Sequence, residues 1–299
     1  MYLDILSVFL PLIMGYLIKL TNKKLIDYTN KICVNIVYVI LFIMGLGLAA
    51  LDNFSQNIGQ ILGITLTFFA CIALCNLATL PLIDKFMPLR NVFKQVHLPL
   101  LSMLAESLKF LAVIVVGTII GFIFPLSHNI TNQISGIALY VLLFFIGLQL
   151  RNSGISLRQI LLNKRGFSIS FIIVLSSFIG GIVAALLLSV PLNHGLAIAS
   201  GFGWYSLTGI LVGDALGPIW GSAAFMVDLL RELVAIILIP ILIKNYACTA
   251  IGFSGATAMD FTLPVIQKSG GLNCVPIAIV SGFLLSLYVP FLVLFWLSV

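Results

Sequence analysis

GFGWYSLTGILVGDALGPIWGSAAFMVDLLRE, residues 201–232, sets glycines, a proline, two aspartates, an arginine and a glutamate inside a chain that is otherwise close to continuous hydrocarbon. In lipid, irregular backbone and ionisable side chains are each tolerated only where protein or a water-filled cavity surrounds them. Their coincidence marks residues 201–232 as the working site of a membrane protein, with the rest of the chain as its holder.

The composition supports this from both directions. Hydrophobic residues make up 61% of the 299 and charged residues 8%, against about 25% charged in a soluble domain. Apolar runs of about 17 to 25 residues recur from end to end, the length that crosses a hydrocarbon core as helix. Strand-length alternation is absent, which argues against a β-barrel. The expected architecture is an all-α integral membrane protein forming one polytopic domain over 1–299. Eight transmembrane helices are expected near 3–20, 32–51, 58–83, 108–125, 134–150, 167–190, 219–243 and 273–298. Two compromised segments, 195–218 and 248–268, read as re-entrant hairpins or broken helices, because Gly201, Gly203, Gly209, Gly213, Gly217 and Pro218 interrupt one and Gly252, Gly255 and Pro264 the other. The first apolar run has its lysines, Lys19, Lys23 and Lys24, on its far side and reads as a retained helix rather than a cleaved signal.

Basic loops stay in the cytoplasm, and with the N-terminus outside 14 of the 15 lysines and arginines fall on the inner side, leaving only Arg231. Both termini are then outside in the eight-span form. Ten spans, with Lys244 outside, result if both compromised segments cross. The net charge of +6 thus reflects topology, and no nucleic-acid partner is implied. An internal repeat relates Tyr38–Leu48, YVILFIMGLGL, to Tyr140–Leu150, YVLLFFIGLQL, with Gly45 matching Gly147. The two copies cross in opposite directions, as in inverted-repeat secondary transporters, with halves near 1–125 and 126–299.

Asp228, Arg231 and Glu232 stand at i, i+3 and i+4 and share a helix face that cannot look at lipid. An ion pair through Arg231 leaves one acid over for a proton or a cationic substrate. Glu232 is the favoured acid and Asp228 the partner of Arg231 or a second ligand, with the reverse assignment open. Asp52, at the outer end of the first repeat, is either a solvated helix end or a collector of cations. Asp214 and Asp260 lie in the glycine-interrupted segments, where freed carbonyls and an acid suit a cation and turn chemistry is the plainer account. Gly201, Gly203, Trp204, Tyr205, Ser206, Ser254, Thr257, Asn76 and Asn152 are candidate pathway-lining positions, the two asparagines being equally suited to helix–helix hydrogen bonding. Glu106 reads as an interfacial helix start, and His97, His128 and His194 fall at membrane boundaries. The cysteines Cys33, Cys71, Cys75, Cys248 and Cys274 form no metal-ligand spacing and read as packing residues.

An intramembrane enzyme finds no support. Gly252-Phe253-Ser254-Gly255 imitates a protease G-x-S-G, yet every histidine precedes it. Val212-Gly213-Asp214 lacks the first glycine of the intramembrane aspartyl protease motif. Without a Walker A, zinc or redox signature, no cofactor is expected, and an ion gradient is the expected driving force.

Tyr38–Asn53 (YVILFIMGLGLAALDN), Gly147–Asn152 (GLQLRN), Ser200–Gly209 (SGFGWYSLTG), Gly217–Glu232 and Gly255–Pro264 (GATAMDFTLP) together resemble the bacterial lysine exporter family, the LysO (YbjE) type. The similarity runs over essentially the whole chain, with Leu230 standing where the family often has alanine. The resemblance implies an inner-membrane exporter of L-lysine and of analogues such as thialysine, with acidic membrane residues mapping to Asp52 and Glu232. Proton-coupled antiport is the expected mechanism, with sodium as the alternative coupling ion and a sodium-coupled carrier of another small organic solute as the alternative function. A membrane-embedded hydrolase ranks below both. Assembly into a homo-oligomer is left open.

Overall fold

The computed structural model describes residues 2–20, 22–49, 54–89, 100–124, 128–152 and 163–299, and all regular structure among them is helical. Eight long helices are α1 (Tyr2–Leu17), α2 (Lys23–Ala49), α3 (Phe54–Phe86), α4 (Leu100–Ile123), α5 (His128–Arg151), α6 (Lys164–Leu188), α9 (Pro218–Leu242) and α12 (Val275–Ser298). Between α6 and α9 run two short helices, α7 (Leu192–Ala199) and α8 (Tyr205–Leu216). Between α9 and α12 come α10 (Ala247–Ser254), a 3-10 turn (Gly255–Met259) and α11 (Leu263–Gly270). Each of the eight expected ranges therefore holds a helix, and each compromised segment is discontinuous. Four helices among the described residues, Lys24–Ala49, Asn57–Phe86, Lys164–Leu187 and Val275–Ser298, are long and apolar enough to cross a membrane. Helix α9 is as long but carries Asp228, Arg231 and Glu232. The chain is a multi-pass membrane protein.

Leu74, Leu187 and Ile241 are each about two-thirds exposed on these helices. Such a surface is a liability in water and the ordinary boundary toward lipid. Between helices the driving force is close packing rather than hydrophobicity, and the repeated glycines show it. Gly45 lets α2 lie against Ile114 and Gly117 of α4, and Gly147 lets α5 lie against Leu12 and Gly15 of α1. Helices α1, α2, α4 and α5 form one group, while α3 packs on α6 and joins α7 to α12 in another.

The ends of each discontinuous segment lie together. His194, in α7, meets Trp220, in α9, with ring centroids 6.1 Å apart. Gly270, at the end of α11, rests on Ile243, which precedes α10. Contacts at the ends of the long helices sort into two sets. Asn152 donates to Ile18 O, Arg165 to Met87 O and Pro88 O, and Asn163 to Pro276 O at one end. Gly47 touches Pro218 at the other.

Candidate functional site

Helix α7 ends at Ala199, and the chain turns through Phe202 (φ 48°) and Gly203 (φ 95°) before α8 begins. A phenylalanine in the left-handed region costs roughly 1–2 kcal/mol, so its surroundings must hold it. The Phe202 side chain is fully buried, and its carbonyl accepts a 2.9 Å hydrogen bond from the Ala256 amide of the second discontinuous segment. The Gly203 amide donates to Asp228 Oδ1 at 2.8 Å. A Cβ at Gly201 would overlap Asp228 Oδ2. Glycine is therefore required there by the close approach of α9.

The second break is built against the first. Gly255 (φ 67°) ends α10, and a Cβ on it would overlap the Phe202 carbonyl. Thr262 donates through both its amide and its hydroxyl to Thr257 O, each at 3.0 Å, which folds the 3-10 turn back on itself. Arg231 donates from Nε to Phe253 O at 2.9 Å and from Nη2 to Gly252 O at 3.2 Å.

Asp228 and Arg231, less than one turn apart on α9, thus each serve a different break. The two also lie within electrostatic range of each other. The sense of each contact suits a helix dipole, acid at the N-terminal end of α8 and cation at the C-terminal end of α10.

Where the two breaks meet, a cavity of about 230 Å³ opens between the two helix groups, far above the ~10–15 Å³ that admits one water. Trp204 and Ser206 line it from the first break, Thr257 and Asp260 from the second, and Ser286 from α12. The opposite wall comes from α2, α4 and α5, including Phe110 and Gln149. Asp260 is exposed to this space and is the one charged residue among the described residues lining it. Glu232 is buried and does not line it. Tyr205 lies within electrostatic range of both acids and stacks edge-on against Phe110 and Phe225.

Other expected site residues stand elsewhere. Asp214 is exposed in the last turn of α8, away from the cavity. Asn76 is buried between α3 and α6, accepting from Ser176 at 2.5 Å and Ser177 at 3.3 Å. Asn152 ties the end of α1 to α5, accepting from the Leu20 amide at 2.8 Å. Both asparagines are helix–helix ties rather than lining residues of this cavity. The Ser254 hydroxyl is buried and turned back to Ala250 O, and Gly201 and Gly203 face Asp228. Asp52 and His97, with Arg90, Lys94 and Arg158, lie outside the described residues. Asp84, not among the expected site residues, accepts from the amides of Cys248 and Thr249 at the start of α10. Its signal was an acid near the end of a long apolar helix.

The family model described as Lysine exporter LysO matches residues 111–297. The Escherichia coli (strain K12) protein named Lysine exporter LysO is 47% identical over 297 residues, covering 99% of both chains. A Haemophilus influenzae protein, provisionally named a lysine exporter, is 45% identical over 190 residues, 64% of this chain and 97% of its own. No solved structure matches.

Proposed function

The chain belongs to the lysine exporter LysO family, and from that premise we propose that it exports L-lysine, and analogues such as thialysine, in exchange for protons. The observation that carries this reading is Asp260, the one carboxylate among the described residues that line the cavity, with no lysine or arginine among them. Such a space attracts a cation. The side-chain ammonium of lysine pairs with Asp260, with the Ser206, Thr257 and Ser286 hydroxyls as neighbouring acceptors. Its carboxylate turns toward the first turn of α8, where backbone amides and the helix dipole favour negative charge. Glu232, buried near Tyr205 and apart from the cavity, is the proton carrier. One proton inward for one lysine cation outward is electroneutral, so the pH gradient drives the exchange.

The proposed topology is eight crossings with two re-entrant hairpins, in the inner membrane and with both termini outside. The contacts His194–Trp220 and Ile243–Gly270 support it, since each brings the two ends of a discontinuous segment to one face. The basic residues Lys85, Lys164, Arg165, Lys244 and Lys268 gather at the Asn163–Pro276 end, which the distribution of positive charge assigns to the cytoplasm. The repeated segments in α2 and α5 are the core of an inverted repeat. The test is lysine flux in proteoliposomes with an imposed pH gradient and with sodium replaced by potassium. Lysine must follow the pH gradient in both salts. Flux that requires sodium and ignores pH sinks the coupling, and no lysine flux under either gradient sinks the substrate.

A further inference from the structure

Helix α10 has eight residues, below the roughly 12–15 at which an isolated helix becomes stable. Its N-cap residue, Tyr246, makes no side-chain cap bond. In a membrane the unsatisfied amides of its first turn have no water to turn to. Asp84, from the far end of α3, supplies what the local sequence does not. Its Oδ1 accepts from the Cys248 amide at 2.7 Å, and its Oδ2 accepts from the Thr249 amide at 2.9 Å and the Thr249 hydroxyl at 2.6 Å. At the opposite end, Arg231 of α9 takes the Gly252 and Phe253 carbonyls. An acid at the N-terminus and a cation at the C-terminus each match the helix dipole.

We propose that Asp84 and Arg231 are positioning residues that clamp α10 at both ends, so that the Gly255–Asp260 turn stands at a fixed depth in the cavity. Asp84 does not itself bind substrate. Both of its oxygens are occupied by α10, and it does not line the cavity. The nearby cation Arg165 is likewise occupied, by the Met87 and Pro88 carbonyls. Fixing α10 to α3 and α9 makes the three helices one body, and the affinity of Asp260 for its cation depends on that body's geometry.

The inference rests on the cavity being the lysine site, and its test has one arm that uses no substrate. In a chain with its native cysteines replaced, Thr257→Cys reports the position of the turn through its rate of alkylation by a small maleimide. Asp84→Ala is expected to change that rate several-fold and to raise the lysine KM about tenfold, the scale of ~1.4 kcal/mol. Asp84→Asn, which keeps one acceptor but turns an amide NH2 toward a donor of α10, is expected to fall between Asp84→Ala and wild type. Thr249→Val removes one bond to Asp84 at constant shape, and it is expected to move KM and labelling in the same direction by a smaller amount.

Unchanged KM and labelling in Asp84→Ala overturn the clamp. If Asp84→Ala does not accumulate in the membrane, an unchanged Thr249→Val overturns it instead. A wild-type protein that moves no lysine defeats the functional reading alone, and the labelling rates still decide the clamp.

Discussion

The carbonyl of Phe202 accepts a 2.9 Å hydrogen bond from the amide of Ala256, and through it the two discontinuous segments touch at their breaks. The residues are 54 positions apart in the chain. Phe202 holds its left-handed conformation with this bond on its carbonyl, and glycine supplies the positive φ at Gly255 on the facing segment. The cavity opens beside this junction, with its opposite wall set by α2, α4 and α5.

Gly255→Ala places a Cβ onto the Phe202 carbonyl and demands a left-handed alanine. Loss of lysine transport by about tenfold or more is expected, in protein that still reaches the membrane. Initial-rate flux normalised to immunoblotted protein checks this. Wild-type flux would mean that the junction is looser than its geometry implies.

Arg231→Lys keeps a charge but not the planar fork that reaches two carbonyls at once. It should retain partial transport, while Arg231→Ala leaves the end of α10 uncapped and should lower the unfolding midpoint in detergent as well as activity. Equal thermal stability of wild type and Arg231→Ala would show that the carbonyls find other partners.

The two acids should separate kinetically. Asp260→Asn is expected to weaken lysine binding by about a hundredfold, the scale of losing one partner of a desolvated charge pair. Glu232→Gln is expected to keep lysine counterflow, which needs no net proton movement, and to lose flux driven by the pH gradient. Asp52→Asn is expected to slow pH-driven flux without abolishing counterflow. The assignment of roles is reversed if Glu232→Gln loses counterflow while Asp260→Asn keeps it.

Lys244, exposed between α9 and α10, distinguishes the topologies. A cysteine there should react with a membrane-impermeant maleimide in everted vesicles and not in intact cells. The reverse pattern would make both discontinuous segments full crossings.

Much of the architecture was legible because lipid leaves few options. Apolar runs of spanning length must be helical, and clustered glycines in such a run must mark a break, so Gly201, Gly203 and Gly255 announced theirs. Asp260 could be nominated for the same reason. Roles were harder to read, since they depend on which backbone an acid meets. Asp228 and Arg231 share a helix face, and spacing alone pairs them. Only the fold shows that each reaches a different break. Asn76 and Ser206 are alike as isolated polar residues in an apolar segment, yet one bonds Ser176 and Ser177 while the other lines the cavity. Asp84, beside Lys85 at a helix end, looks like an ordinary interfacial pair. Its partners lie some 164 residues away.

The most direct test is lysine counterflow in proteoliposomes bearing wild-type or Asp260→Asn protein, at equal protein density and equal internal lysine. The expected result is rapid entry of labelled lysine for wild type, inhibited by unlabelled lysine, with no entry above empty liposomes for Asp260→Asn at micromolar substrate. Counterflow by Asp260→Asn at the wild-type rate and concentration dependence would contradict the account, because the Asp260 carboxylate would then not be where the lysine cation binds.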